Sequence, residues 1–266
     1  MTLRFFFALL LLAGAQSAIA RDYQSFASDG VNIAYTDSGT GVPVIFLHGF
    51  DSNFEQFLGP PADFIGPEFR VVGVDQRGHG RSDKPQEEDA YGKHFADDVL
   101  NLMDHLQIGK AHVVGHSMGG IVAMHLVANH PDRFLSVVTI GNGLFTKGEL
   151  TLIGWLVRGS FAWSRVKEFF GAADPRKHSQ SERNALLLAV ASLKDLAITE
   201  EQAAAIKLPV LAARGGPKDD PRDTVERLAT VNRSVQMLRI ESEDHVSLLA
   251  NPQFQEALKK FLSQRR

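Results

Sequence analysis

The sequence predicts an α/β protein with a mostly parallel sheet, helices on both faces and a helical insertion in its second half. Short apolar runs alternate along the chain with segments that repeat apolar residues at helical spacing. Continuous apolar runs such as residues 43–49 are typical of strands buried on both faces of a parallel sheet. Residues 143–206 contain no such run and carry both tryptophans, which favours a separate helical layer.

The elements follow in order from these patterns. The segments expected to form strands are 31–39, 43–49, 69–78, 110–117, 134–142, 208–216 and 235–242. The segments with helical patterns are 94–108, 119–131, 152–170, 181–193 and 251–264. The resulting division of the chain is a signal peptide at 1–20, a core in two parts at 21–142 and 207–266, and a helical cap at 143–206.

The first residues have the composition of an export signal. Arg4 precedes an apolar run, Phe5–Ala15, and Ser17–Ala20 ends in a small-x-small pattern. The run is shorter than the roughly 20 residues that a transmembrane helix needs. We therefore expect cleavage after Ala20, a secreted or periplasmic protein and no stable membrane anchor after cleavage.

Composition excludes several classes of function. The net charge of −3 and the absence of a long basic block argue against nucleic-acid binding. The chain has no cysteine, which excludes disulfides, thiol nucleophiles and cysteine-based zinc sites. No H-E-x-x-H motif occurs, and no cofactor or metal is expected.

The strongest chemical signal is G-H-S-M-G at residues 115–119, between a predicted strand and a predicted helix. This is the context of a nucleophile elbow, in which a strand reverses sharply into a helix and presents a serine. Gly115 and Gly119 remove side chains that would collide with the turn. The alternative, a serine helix cap with incidental glycines, explains fewer of these features. Ser117 is the predicted nucleophile.

A serine hydroxyl needs a base, and chain order selects it from ten histidines. In elbow hydrolases the order is serine, then carboxylate, then histidine. His245 follows the last predicted strand, where open α/β sheets build their sites. His178 lies in a charged stretch of the insertion and is expected to be solvated. His245 is the predicted base.

The orienting carboxylate is expected in residues 214–223, R-G-G-P-K-D-D-P-R-D. Pro221 suits the first turn of a helix, which would make Asp220 its N-cap and Asp223 a partner one turn further on. Asp219 is then the free carboxylate nearest the strand. We favour Asp219 as the acid and keep Asp220 as the alternative.

An oxyanion formed at this serine would need N–H donors. The backbone N–H of Met118 follows the nucleophile directly. The N–H of Phe50, at the end of the buried run 43–49, is the second candidate. The glycine-rich residues 75–83, D-Q-R-G-H-G-R-S-D, lack a full dinucleotide motif, and we expect a structured loop beside the pocket instead.

These segments together resemble the α/β-hydrolase superfamily, in its branch of capped, esterase- and lipase-like serine hydrolases. The resemblance rests on F-L-H-G-F, V-V-G-V-D-Q-R-G-H-G-R-S-D-K-P, the elbow and the segment around His245. It implies an eight-stranded sheet with a helical cap. It also implies Ser117 as nucleophile, His245 as base, and Phe50 and Met118 as oxyanion donors. Members with an aspartate nucleophile are disfavoured by the serine.

The sequence therefore predicts hydrolysis of a small-molecule carboxylic ester with a small-to-medium apolar group, through an acyl-enzyme. A C–C bond hydrolase or a perhydrolase using the same triad is the alternative, and a non-catalytic binding protein is a third hypothesis. Apolar residues of the insertion are expected to line the pocket in part: Leu152, Ile153, Trp155, Leu156, Phe161, Trp163, Phe169 and Phe170.

Overall fold

The computed structural model describes residues 22–55, 62–158, 177–217, 219–220 and 222–264. The expected signal peptide, residues 1–20, lies outside them. The strands are β1 Tyr23–Ser28, β2 Val31–Ser38, β3 Val42–Leu47, β4 Phe69–Val74, β5 Ala111–His116, β6 Phe134–Ile140, β7 Val210–Arg214 and β8 Gln236–Arg239. The α-helices with described bounds are α1 His94–His105, α2 Met118–Asn129, α3 Lys147–Arg158, α4 Gln180–Ser192, α5 Glu200–Ala205, α6 Thr224–Val231 and α7 Pro252–Ser263.

All eight strands form one sheet in the order β1-β2-β4-β3-β5-β6-β7-β8. Strands β1 and β2 pair antiparallel with each other, and β2 pairs antiparallel with β4. The pairs from β4 to β8 are parallel. The carboxyl ends of β3, β5, β6, β7 and β8 therefore meet at one edge of the sheet, where sites form in open α/β folds. The predicted fold class is confirmed.

Helices cover both faces of the sheet because successive strand residues point to opposite sides. Ile45 and Leu47 pack into one apolar cluster with α1, α2 and the helices after β6. Val44 and Phe46 pack into a second cluster with α7. The central strands thus read as continuous apolar runs, as a sheet buried on both faces requires.

Local sequence fixes the starts of several helices. Ser179 and Thr199 each form a capping box with the residue three positions on, at the starts of α4 and α5. Asn251 caps α7, with Pro252 as its first residue. These caps satisfy backbone N–H groups that a helix leaves without intrahelical partners.

Between β6 and β7 the described residues form helices and no strand, in agreement with the predicted helical insertion. Helices α3 and α4 pack against each other, and Gly154 lies so close to the backbone of Ala191 that a Cβ would sit 2.9 Å from its Cα. Ile153 is buried, whereas Leu152 and Trp155 are exposed. Four predicted lining residues, Phe161, Trp163, Phe169 and Phe170, lie outside the described residues.

Within the part of the chain that the structure describes, no helix is both long and apolar enough to cross a bilayer.

Candidate active site

Ser117 sits on the turn between β5 and α2 with a backbone φ of 51°. This left-handed conformation is uncommon for a residue with a side chain, and strain of this kind clusters at functional sites. The Ser117 N–H donates to the carbonyl of Ile140, 2.8 Å away at the end of β6. The turn is thereby tied to the neighbouring strand, with Ser117 at the N-terminus of α2.

The glycines around Ser117 are required by close backbone approach. A Cβ on Gly115 would overlap the carbonyl of Gly119, and a Cβ on Gly119 would overlap the carbonyl of Leu47. Strand β3, strand β5 and helix α2 therefore meet at a separation that only glycine allows. This agrees with the steric role inferred for these glycines from the sequence.

Asn142 is a further support of the turn that the sequence patterns did not single out. Its side-chain amide donates to the carbonyl of Ser117, and the residue is buried. Asn142 follows β6 at the same edge of the sheet as Ser117. Its position after a central strand is the one signal in the sequence that could have identified it.

His245 lies in the loop after β8, and its Nδ1 is 2.5 Å from Oδ1 of Asp219. The imidazole packs beside Gly141, whose φ is 72° and where a Cβ would lie 2.6 Å from the ring. Gly141 directly follows Ile140, the residue that accepts the Ser117 N–H. Chain segments far apart in sequence thus place the imidazole next to the turn that carries the serine.

Asp219 is fully enclosed: its side chain has 0% exposure, against 26% for His245. The second carboxylate oxygen, Oδ2, accepts the backbone N–H of Gly215 at 2.5 Å. One oxygen is therefore held by the loop after β7 while the other faces the imidazole. This arrangement fixes the orientation of both side chains.

Asp220 faces away from the imidazole. Its two oxygens accept from the Thr224 hydroxyl at 3.0 Å and the Val225 N–H at 2.8 Å. The expected helix start at Pro221 is wrong, because α6 begins at Thr224, with Asp223 as its N-cap residue at a φ of 52°. Asp220 nevertheless accepts the N–H of Val225 in the first turn of α6, although it lies three residues before the N-cap residue Asp223.

His116 holds the loop that carries His245. Its Nε2 lies 2.8 Å from the carbonyl of His245, and the two ring centroids are 4.7 Å apart. Burial lowers the pKa of His116 to about 3, with the nearby His245 as the next cause. His116 is therefore neutral at physiological pH and donates its Nε2–H to that carbonyl.

The loop after β3 places Phe50 next to the same edge of the sheet. His48 anchors this loop: its Nδ1 is 2.7 Å from the Gly49 carbonyl, and its Nε2 accepts the Gln76 N–H at 3.0 Å. Burial lowers the pKa of His48, which keeps the ring neutral and suited to one donated and one accepted bond. Phe50 is buried, as is Met118 at the start of α2.

The glycine-rich loop at residues 75–83 is structured. Arg77 donates to both oxygens of Asp98 on α1, at 2.5 and 2.7 Å, and both side chains are almost fully buried. His79 from this loop packs edge-on against Phe50, with ring centroids 5.7 Å apart. The loop therefore lies beside the segment that carries Phe50.

His178 differs from its expected solvated state. Its Nε2 is 2.8 Å from Oδ1 of Asp51, and its side chain is 24% exposed. Asp51 follows Phe50 directly, so this contact joins the insertion to the loop after β3. Burial raises the pKa of Asp51, and the adjacent His178 opposes that rise.

A group of three metal-ligating residue types lies elsewhere among the described residues. Asp29, His94 and Asp97 place ligand atoms within 4.8 Å of one another, on the surface. Exposed groups of this kind are common without an ion. The grouping lies on α1 and the turn between β1 and β2, and none of the three residues is among those that surround Ser117.

Comparison with known proteins identifies the family of the chain. Residues 42–241 match the family model described as alpha/beta hydrolase fold. The chain therefore belongs to the α/β hydrolase family.

Two curated relatives illustrate the range of that family. An epoxide hydrolase of Caballeronia sordidicola is 32% identical over 46% of this chain and 38% of its own length. The 2-hydroxy-6-oxo-6-phenylhexa-2,4-dienoate hydrolase of Comamonas testosteroni is 34% identical over 50% of this chain and 47% of its own. The matches thus span less than half the length of these relatives.

Solved structures show the same fold over a longer span. The enol-lactonase of Burkholderia xenovorans LB400 has a TM-score of 0.74 and 21% identity, covering 90% of this chain and all of its own. A hydrolase of Pseudomonas aeruginosa PA01 has the same TM-score with 22% identity over 91% of this chain and 99% of its own. At these identities the likeness concerns the fold.

Proposed function

We propose that this chain is an exported serine hydrolase that cleaves carboxylic esters through an acyl-enzyme on Ser117. One observation carries the proposal. The imidazole of His245, bonded to the buried carboxylate of Asp219 at 2.5 Å, lies next to a strained turn that presents a serine. Nucleophile, base and orienting carboxylate are the three roles that acyl transfer requires.

In the proposed reaction, Nε2 of His245 takes the hydroxyl proton of Ser117 as Oγ attacks the ester carbonyl carbon. Asp219 stabilises the imidazolium that forms. The N–H groups of Phe50 and Met118 stabilise the oxyanion of the tetrahedral intermediate. When the C–O bond breaks, the alcohol leaves with the proton from His245. Water then attacks the acyl-enzyme with His245 as base, and a carboxylic acid leaves.

The proposed substrates carry a small-to-medium apolar group. An apolar depression between α2 and the helical insertion supports the apolar character of this group but not its size, because its volume of about 10 Å³ has room for roughly one water. Its lining residues are apolar apart from the backbone: Ile121, Met124, Gly143, Phe145, Leu150, Leu196, Ala197 and Ile198. Ile121 lies one turn after Ser117, so this apolar region begins close to the proposed nucleophile.

A C–C bond hydrolase is the second candidate, with the same three residues. The observation that favours it is the similarity to the Comamonas testosteroni hydrolase, whose name describes a dienoate substrate. The two functions share a triad, and the pocket decides between them. Substrate profiling with simple esters and with a vinylogous 1,5-diketone distinguishes them.

The test of the proposed function is hydrolysis of p-nitrophenyl esters of increasing chain length by the wild type and by Ser117→Ala. We expect wild-type activity and a loss of several orders of magnitude in kcat for the variant, because triad members act as a unit. Ser192→Ala is the matched control, since Ser192 is buried and its hydroxyl donates to the helix carbonyl of Ala189. Full activity in Ser117→Ala would overturn the proposal.

Export is proposed from the sequence of residues 1–20 alone. Expression of the full chain in a bacterial host should yield periplasmic or secreted protein that begins at Arg21. N-terminal sequencing checks this, and an intact N-terminus on protein retained in the cytoplasm would contradict it.

A further inference from the structure

Two of the ion pairs that the structure describes join the helical insertion to the core. His178 of the insertion lies 2.8 Å from Asp51 in the loop after β3. Glu149 of the insertion pairs through both oxygens with Arg227 on α6, at 2.7 and 3.0 Å. The two pairs differ in what they contact on the core side. Asp51 directly follows Phe50, a proposed oxyanion donor, whereas α6 carries none of the proposed reacting groups.

The loop after β3 lies directly against the proposed nucleophile. A Cβ on Gly49 would lie 3.3 Å from the Cβ of Ser117 and 2.9 Å from Nδ1 of His116. The N–H of Phe50 belongs to the peptide group that follows Gly49, so it borders the serine as well. A small displacement of this loop therefore changes the distance from the Phe50 N–H to an oxyanion formed at Ser117.

Contacts to the core hold this loop at both ends. Nε2 of His48 accepts a backbone N–H before it, and Oδ1 of Asp75 accepts the N–H of Phe54 after it, at 2.8 Å. Between these ends, Asp51 has a φ of 53°, which is uncommon for a residue with a side chain. An ionised carboxylate only accepts, so Nε2–H of His178 donates to Oδ1 of Asp51. The middle of the loop is thus held from the insertion.

The backbone that carries His178 is itself well anchored. The carbonyl of His178 accepts from Nη1 of Arg183 at 2.6 Å. The next residue, Ser179, begins α4 with a capping box. The apolar side of α4 packs into the cluster that covers one face of the sheet. The imidazole of His178 therefore has a defined position relative to the core, as a residue that orients another must have.

We propose that the Asp51–His178 pair positions the Phe50 N–H against the oxyanion formed at Ser117, which makes His178 a positioning residue supplied by the insertion. The inference rests on the proposed function, because it needs Phe50 as an oxyanion donor. Both side chains act through the backbone of the loop and not on the substrate. The competing explanation is that the pair only attaches the insertion to the core, as the Glu149–Arg227 pair does.

The first measurement is steady-state hydrolysis of p-nitrophenyl butyrate. Removal of one oxyanion donor costs about 10²–10³ in kcat, and displacement of a donor costs part of that. We expect His178→Leu to lower kcat about 10-fold or more and to leave KM within about threefold, because the donor acts on charge that develops in the transition state. His178→Gln retains an N–H donor for Asp51 and should recover most of the loss.

Glu149→Leu is the matched control, because it breaks the other pair between the insertion and the core. It also removes the acceptor of the Thr146 N–H just before α3, so it loosens the insertion at least as much as His178→Leu. Its kcat should stay within about threefold of the wild type, since no contact to the loop after β3 is lost.

The second measurement isolates the oxyanion. It compares the inhibition constants of a trifluoromethyl ketone and of the methyl ketone with the same alkyl chain. With the first, Oγ of Ser117 adds to the carbonyl carbon, the hydroxyl proton passes to His245, and the carbonyl oxygen becomes an oxyanion. The second binds mainly without addition. The ratio of the two constants should fall about 10-fold in His178→Leu, recover in His178→Gln and stay unchanged in Glu149→Leu.

If His178→Leu does not fold, Asp51→Gly breaks the same pair at a φ that glycine readily adopts, and the ratio should fall as far. A wild-type ratio in either folded variant, or an equal fall in Glu149→Leu, would overturn the inference. Failure of the proposed function has a different signature: the wild type hydrolyses no ester and binds both ketones equally, which overturns both proposals. A wild type that cleaves no ester but prefers the trifluoromethyl ketone still has an oxyanion, and the ratio in the variants then decides the inference.

Discussion

The substitution Asp219→Asn isolates the role of one oxygen atom. Oδ2 of Asp219 accepts the Gly215 N–H at 2.5 Å, and Oδ1 faces Nδ1 of His245 at the same distance. In asparagine the single carbonyl oxygen is drawn to the N–H of Gly215, so the NH₂ group faces the imidazole. The ring must then accept at Nδ1 and carry its proton at Nε2, where it can no longer take the proton of Ser117.

The expected loss in kcat is about 10⁴-fold, the effect of holding a triad histidine in the wrong tautomer. This corresponds to about 5 kcal/mol of transition-state stabilisation. The assay is steady-state hydrolysis of p-nitrophenyl butyrate, with urea unfolding to verify that the variant is folded. The fold should survive, because asparagine has nearly the same volume and still accepts from Gly215.

The matched control is Asp220→Asn, one residue along the same loop. Asp220 bonds the Thr224 hydroxyl and the Val225 N–H, so its variant should lose about 1 kcal/mol of unfolding free energy. Its kcat should stay within about threefold of the wild type, since no bond to His245 is involved. A folded Asp219→Asn with near wild-type kcat, or a larger catalytic loss in Asp220→Asn, would refute the assignment.

Three further predictions concern the surroundings of the site. Gly141→Ala should lower kcat at least 100-fold without a comparable change in KM. The reason is that Gly141 has a φ of 72° and that the added Cβ would lie 2.6 Å from the imidazole of His245. A Gly141→Ala variant with wild-type kcat would contradict this. Burial lowers the pKa of His79 and His116 to about 3, so below pH 6.5 the unfolded state binds protons that the folded state does not. The free energy of unfolding should therefore fall by about 2 kcal/mol for each histidine as the pH decreases from 6.5 to 5. Urea unfolding of His116→Gln should show a smaller fall over this pH range than the wild type. Asp98→Ala should cost about 3–5 kcal/mol in the same assay, because it leaves Arg77 buried without its carboxylate; a loss below 1 kcal/mol would contradict this.

The sequence was informative where local chemistry determines structure. The continuous apolar runs predicted a parallel sheet, since only strands buried on both faces omit polar residues. The elbow at Ser117 was visible because its glycines, strand and helix are contiguous in the chain. The position of His245 after a strand was likewise a local signal.

Contacts between distant segments could not be predicted in the same way. The helix start expected at Pro221 lies instead at Thr224, and the carboxylate of Asp220 nonetheless serves that helix. His178 was expected to be solvated, yet it pairs with Asp51, which is far away in the sequence. Such pairings depend on how the insertion packs on the core, and the spacing of apolar residues in a single sequence does not reveal that packing.

Gly141 illustrates the same limit. The imidazole of His245, from a loop near the end of the chain, occupies the space that a side chain at Gly141 would need, and the positive φ of Gly141 independently favours glycine. From the sequence, Gly141 is one glycine at the end of a strand. The steric role of Gly141 is visible only when the positions of both Gly141 and His245 in the fold are known.

The most direct test of the central claim is to label the protein with a fluorophosphonate probe and to identify the modified residue by mass spectrometry of the digested protein. We predict a single adduct, on the peptide that contains Ser117, with slow or absent labelling in Asp219→Asn. No adduct on the folded wild type, or an adduct on another serine that persists in Ser117→Ala, would contradict the proposed acyl-enzyme mechanism.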